Sequence, residues 1–218
     1  MAHMNANKVS NFVGKYVRSA NWRRKAIYIA LLVIILLAGG HYWYSQSQAA
    51  HVPQEFYDAR GRAAEISSRI VQLTDASVQT LRLISAADEA GNYRRGLTLV
   101  TEEVDRNKEI KNQAVKLSEE VKTMALNLGV VKPEKAASVG LRAATTGLEL
   151  AQRLVNYNNY AQELLAVLQT RFKSSGSPET RQRIEQIILR MNQEAETINN
   201  LNERYQEQIR EFDKLVKQ

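Results

Sequence analysis

The chain has 218 residues, a formal net charge of +7, three histidines and no cysteine. Lack of cysteine excludes disulfides, thiol nucleophiles and thiolate metal sites. Residues 1–51 hold six basic and no acidic residues, leaving 24 basic and 23 acidic residues in the remainder, so the high isoelectric point belongs to the N-terminus and a nucleic-acid-binding face is not expected on the larger part.

Residues 1–4, Met-Ala-His-Met, read as an expression-tag remnant because a second methionine directly follows Ala-His. In residues 5–25, Val9, Phe12, Val13, Tyr16, Val17 and Ala20 recur at helical spacing between basic positions. This is the pattern of a basic amphipathic helix lying on an anionic inner leaflet, with Lys8, Phe12, Lys15, Tyr16 and Arg18 as the expected lipid contacts. The alternative is a plain cytoplasmic tail.

Residues 26–44 carry no charge, follow Arg23, Arg24 and Lys25, and lie between Trp22 and the Tyr42, Trp43, Tyr44 run. At about 1.5 Å per residue the two tryptophans would stand about 31 Å apart, the thickness of a hydrocarbon core with an aromatic anchor at each interface. The segment therefore reads as a transmembrane helix. The basic cluster on its N-terminal side, with no Lys or Arg in residues 39–53, orients the N-terminus toward the cytoplasm and the C-terminal domain away from it. A cleaved signal peptide is the competing reading, since Ser47 and Ala49 are small residues of the kind a processing site requires. The bulky Tyr42, Trp43 and Tyr44, and the distance from the apolar run to Ala49, favour a retained signal anchor.

After a short linker at 45–52, residues 53–218 have helix breakers in three places only: Gly91 with Asn92, residues 129–133, and residues 174–178. Four helices are expected, at about 53–90, 93–128, 133–173 and 178–217. Their short connections impose an antiparallel up-down-up-down four-helix bundle. Gly91, Gly129 and Gly176 lie where C-terminal caps would be, and Pro133 and Pro178 where first-turn prolines are tolerated.

The fourth helix has the clearest heptad seam, running through Ile184, Ile188, Met191, Ala195, Ile198, Asn202, Tyr205, Ile209, Phe212 and Val216. The first repeats the pattern through Ala63, Ile66, Ile70, Leu73, Ser77, Leu81, Ile84 and Ala87, and the third through Leu150, Leu154, Tyr157, Ala161, Leu164 and Leu168. A seam in the second runs through Leu97, Val100, Val104, Asn107, Lys111, Ala114, Ser118, Val121, Ala125 and Leu128, and its polar members mark this helix as the most exposed or mobile. A strip of Ala136, Gly140, Ala143, Ala144 and Gly147 is expected to receive large side chains of the fourth helix, with Val139 opposite Phe212 and Thr146 opposite Tyr205.

Chemistry is sparse. No histidine falls within the bundle, which removes the Glu-x-x-His pairs of di-iron bundles, and no phosphate-binding glycine loop or hydrolase elbow occurs. The acidic pairs Glu102, Glu103 and Glu119, Glu120 have Arg106 and Lys122 at helical spacing and read as solvated ion-paired faces. Neither enzymatic activity nor a cofactor is expected.

Two constellations remain. Hairpin geometry sets Ser77, Asn107, Asn158 and Gln193 at one height, as a polar layer that either fixes register or lines a small-ligand pocket. Tyr93, Arg94, Arg95, Arg171, Phe172 and Lys173 gather at the tip distal to residue 53 as a candidate partner-binding set, although capping of helix ends explains Arg171 and Lys173 without a partner.

In layout the chain resembles the front half of a chemoreceptor sensing module, but no second spanning helix or signalling region of the kind such receptors use is expected within residues 1–218, and no family motif is matched. The expected function is a non-enzymatic, single-pass membrane protein whose bundle is a structural or protein-binding module of a cell-envelope assembly. A ligand-sensing bundle reporting to a separate membrane partner, or a secreted bundle if the N-terminus is cleaved, are the alternatives. The seams are used up within one bundle, so a monomeric ectodomain is the default, with a homo-oligomer as the alternative and an unknown protein partner.

Overall fold

The computed structural model describes residues 52–173 and 178–217. The expectations for Lys8, Phe12, Lys15, Tyr16, Arg18, Trp22, Arg23, Arg24, Lys25, Tyr42, Trp43 and Tyr44 lie outside the described residues, as does Gly176. Four α-helices follow in order: α1 (Gln54–Glu89), α2 (Tyr93–Leu126), α3 (Glu134–Lys173) and α4 (Pro178–Val216), with a 3-10 turn, Asn127–Val130, between α2 and α3. Among the described residues no helix is long and apolar enough to cross a membrane.

The helix ends follow from local chemistry. Gly91 has φ 67°, and Asn92 and Gly91 donate to the carbonyls of Ala87 and Asp88, closing α1 with a Schellman motif. Asn92 then caps α2 by accepting from Arg95 N at 3.2 Å. Gly129 differs from its expected capping role: α2 ends at Leu126, and Gly129 sits in the 3-10 turn without a positive φ. Asn127 takes over the capping, its Nδ2 donating to Thr123 O at 2.9 Å. Pro133 precedes α3 and supplies the carbonyl that accepts from Ala136 N and Ala137 N, so that helix begins one residue later than its proline suggests.

Consecutive helices pack antiparallel along their lengths: α1 on α2, α2 on α3, α3 on α4. The α1–α4 seam is wider, its backbones making few close approaches. At the end where α1 starts, one core cluster joins all four helices through residues including Phe56, Val121, Val139 and Phe212. Toward the other end it divides. Ile84, Val100, Leu165 and Phe172 unite α1, α2 and α3, whereas Leu164, Val167, Ile187 and Met191 join α3 to α4 alone. The second helix is therefore not the peripheral one: it lies between α1 and α3, and in the distal half α4 has the single close neighbour.

The seam of α2 is also rotated from expectation. Its buried residues are Gly96, Val100, Glu103, Asn107, Ile110, Ala114, Leu117, Val121 and Met124, an unbroken alternation of fours and threes. Ile110, Leu117 and Met124 thus face inward in place of Lys111, Ser118 and Ala125, and Glu103 comes with them. The small strip of α3 receives large side chains as its volume requires: a Cβ at Gly140 would lie 3.1 Å from the Phe212 ring, and one at Gly147 3.2 Å from the Tyr205 ring.

Candidate functional site

The rotation of α2 turns its middle into the most polar part of the core. Glu103 is 3% exposed, one turn from Asn107 on the same inward stripe. A buried carboxylate needs partners, and Arg106 supplies one as an ion pair three residues along the helix. The same Arg106 Nη1 donates to Thr80 Oγ1 of α1 at 2.7 Å. Ser77 lies beside the carboxylate and favours its charged form, although its Oγ is without a well-formed hydrogen bond. Burial outweighs Ser77, Arg106 and Thr80 together, so the Glu103 pKa is raised. Burial, and then the charge of Glu103, push the Tyr157 phenol up to about 12.

One turn further along the same stripe, Asn107 Nδ2 donates to Asn158 O at 2.9 Å, tying α2 to α3, while Asn158 Nδ2 donates to Leu154 O one turn back at 2.8 Å. Ser77, Asn107 and Asn158 are all buried, as a polar layer requires. Gln193 does not join them. It is exposed, because Met191, Ala195 and Ile198 point inward and leave position 193 on the outer face of α4. Its neighbour Glu194 is buried instead, facing Arg153 Nη1 at 3.4 Å and Asn156 Nδ2 at 3.5 Å on α3.

At the distal tip, the six expected residues divide into two groups. Arg171 is committed inside the protein, its Nε and Nη2 donating to Asp88 at 3.0 and 2.9 Å. Phe172 is buried against Gly96, where an added Cβ would come within 2.8 Å of the ring, and stacks 6.0 Å from Tyr93. These two hold α3 to α1 and α2. Tyr93, Arg94, Arg95 and Lys173 are exposed and form the outward face of the tip.

No protein family, curated protein or solved structure matches the chain. Among the described residues no group of three or more His, Cys, Asp or Glu is placed to hold a metal ion. A cavity of about 50 Å³ lies between the four helices, lined by Arg60, Ser67, Gly147, Tyr205 and Ile209 among others. That volume suits a water or two. Arg60 stands at this cavity in a paired state with Asp213 at 2.9 Å; burial works to lower its pKa, but the Asp213 bond and charge prevail and the net direction is upward. Tyr205 is pushed up, chiefly by burial. The Glu103 cluster is not part of this cavity's lining. The polar layer thus ties helices together in a fixed register, with Glu103 and Arg106 as members that the sequence reading placed on a solvated face. Their signal was available: Ile110, Leu117 and Met124 continue from Glu103 at seven-residue intervals.

Proposed function

We propose that the chain is a non-enzymatic, single-pass membrane protein whose helical bundle serves as a structural or protein-binding module of a cell-envelope assembly. The observation that carries this reading is the uncharged run at 26–44, with three consecutive basic residues before it and Tyr42, Trp43 and Tyr44 at its end, only seven residues ahead of the first described residue, Val52. Such a segment holds the bundle at a bilayer surface with its long axis free to project: α1, at 36 residues, spans about 54 Å. The basic N-terminus sets the orientation, cytoplasmic at residues 5–25 and extracytoplasmic beyond the anchor.

A projecting rod whose middle is closed by paired polar side chains supports a spacer or docking role more than a sensing one. Tyr93, Arg94, Arg95 and Lys173, an exposed aromatic with three cations at the far end, are the surface offered to a protein partner. Cross-linking from a photoreactive residue at position 93 in intact membranes, followed by identification of the adduct, tests that surface. Protease added to right-side-out vesicles tests the topology: the bundle is digested while residues 5–25 survive, and a bundle that resists until the vesicles are opened refutes the orientation. A ligand-sensing role would require the polar layer to open, and a secreted form would begin near Ala50.

A further inference from the structure

We propose that the end of α2 and the 3-10 turn that follows it form a lipid-contacting foot, in which Leu126 and Val130 enter the interfacial zone of the bilayer that residues 26–44 cross. This rests on the anchor reading given above and specifies which part of the bundle faces the membrane.

Leu126 is 74% and Val130 57% exposed, the former the most exposed large apolar residue among those described. They are four positions apart around one tight turn. The apolar residues between and after them are pinned inward, Leu128 at 3% and Val131 at 2% exposed, so the turn is a supported projection and its two outer side chains are held out from the core. Leu128 and Val131 share their cluster with Val52, Phe56 and Val216, which places the turn at the end where the chain enters α1. Eight peptide steps separate residue 44 from Val52, a reach of at most about 29 Å. This end of the bundle is thereby confined close to the surface from which the anchor emerges.

The charges around the turn suit an anionic headgroup layer. Lys132, Lys135, Lys214 and Lys217 are exposed at this end. Of the acids at this end, Glu55 and Glu120 are paired with Arg62, Asp213 with Arg60 and Glu211 with Arg142, Asp58 accepts from Gln54, and Glu119 and Glu134 are exposed. Two apolar side chains cannot approach the roughly 1,200 Å² that a stable protein interface buries, which argues against a second copy as the occupant. A bilayer demands no such area once the anchor supplies a high local concentration. The turn then sets how the rod stands: contact at Leu126 and Val130 fixes which side of the bundle leans on the lipid.

Absence of native cysteine makes a single-cysteine test direct. Full-length L126C, V130C and L83C variants carry an environment-sensitive fluorophore in phosphatidylcholine/phosphatidylglycerol vesicles containing spin-labelled lipid. Position 83 lies 29 residues into α1, about 44 Å from that end, and is likewise exposed. The expected result is blue-shifted emission and at least threefold stronger lipid quenching at 126 and 130 than at 83, reduced by K132Q/K135Q. Trp22 and Trp43 report on the anchor in the same vesicles through brominated lipid. Quenched tryptophans with labels at 126 and 130 no more quenched than at 83 overturn the foot and leave the anchor standing. Unquenched tryptophans overturn both. Label shielding that rises with protein density and ignores lipid quencher identifies a protein contact, and also overturns the foot.

Discussion

Three glycines in the helices separate backbone propensity from packing, because Gly→Ala is the same chemical change in three different spaces. At Gly61 an added methyl meets nothing within 4 Å. The substitution there gains only helix propensity, about 1 kcal/mol. At Gly140 the new Cβ would lie 2.6 Å from Leu128 Cδ2 and 3.1 Å from the Phe212 ring. Neither neighbour can swing away, since Leu128 and Phe212 are both fully enclosed in the four-helix cluster. Overpacking of that kind costs about 1–3 kcal/mol, and the propensity gain cancels when the two variants are compared. For a domain of this size, about 1 kcal/mol moves Tm by about 2–4 °C. G61A is therefore expected to melt about 2–4 °C above the parent chain, and G140A about 2–12 °C below G61A. G147A, with contacts of 3.1 Å to Val121 and 3.2 Å to Tyr205, should fall between them. Thermal and urea unfolding followed by far-ultraviolet circular dichroism, on full chain in one detergent, gives the ranking. If G140A proves as stable as G61A, the close approach of α3 to α4 and to the 3-10 turn at Leu128 is wrong.

The remaining predictions concern charge. Glu103 has a raised carboxyl pKa, so the folded state holds that proton more tightly than the unfolded chain; its contribution to stability is greatest in acid and is lost as pH rises from the ordinary carboxylate range through the folded value. Paired urea titrations of parent and E103Q across that range should show the parent losing ground to the variant with rising pH. Tyr157 follows the same sign higher up, with stability lost as pH climbs from 10 toward about 12, and Y157F should remove a late-titrating phenolate from the absorbance profile. Arg171→Ala leaves Asp88 enclosed without its cation and should cost about 3–5 kcal/mol. By contrast Lys108→Ala, at a fully solvated pair with Asp105, should change stability by less than about 0.5 kcal/mol in the same assay.

Helix number, order and approximate length were legible because three breaker clusters stand out in a chain that otherwise has few, and because α4 repeats fours and threes through large apolar residues. The rotation of α2 was not, for a specific reason. From Val100, steps of three and four are both permitted, and choosing apolar Val104 over Glu103 looks correct until the partners of Glu103 are known. Those partners, Ser77, Thr80 and Arg106, come from two helices and appear only once α1 and α2 are laid together. Gln193 failed for the converse reason: hairpin arithmetic gives a height along the bundle and says nothing about which way a side chain turns. Arg171 and Phe172 looked available at the tip because Gly96, which accommodates the Phe172 ring, carries no apolar signature of its own.

Uneven support of the last helix has a mechanical consequence. Near Phe56 and Phe212 it is gripped from several sides, but from Ile184 to Met191 it rests on a single partner. Backbone amides in that stretch should become accessible to solvent exchange by detachment of one helix half alone, with the other three undisturbed. A binder inserted between first and last helices there would meet an existing parting line, and would have no shared hydrophobic cluster to break.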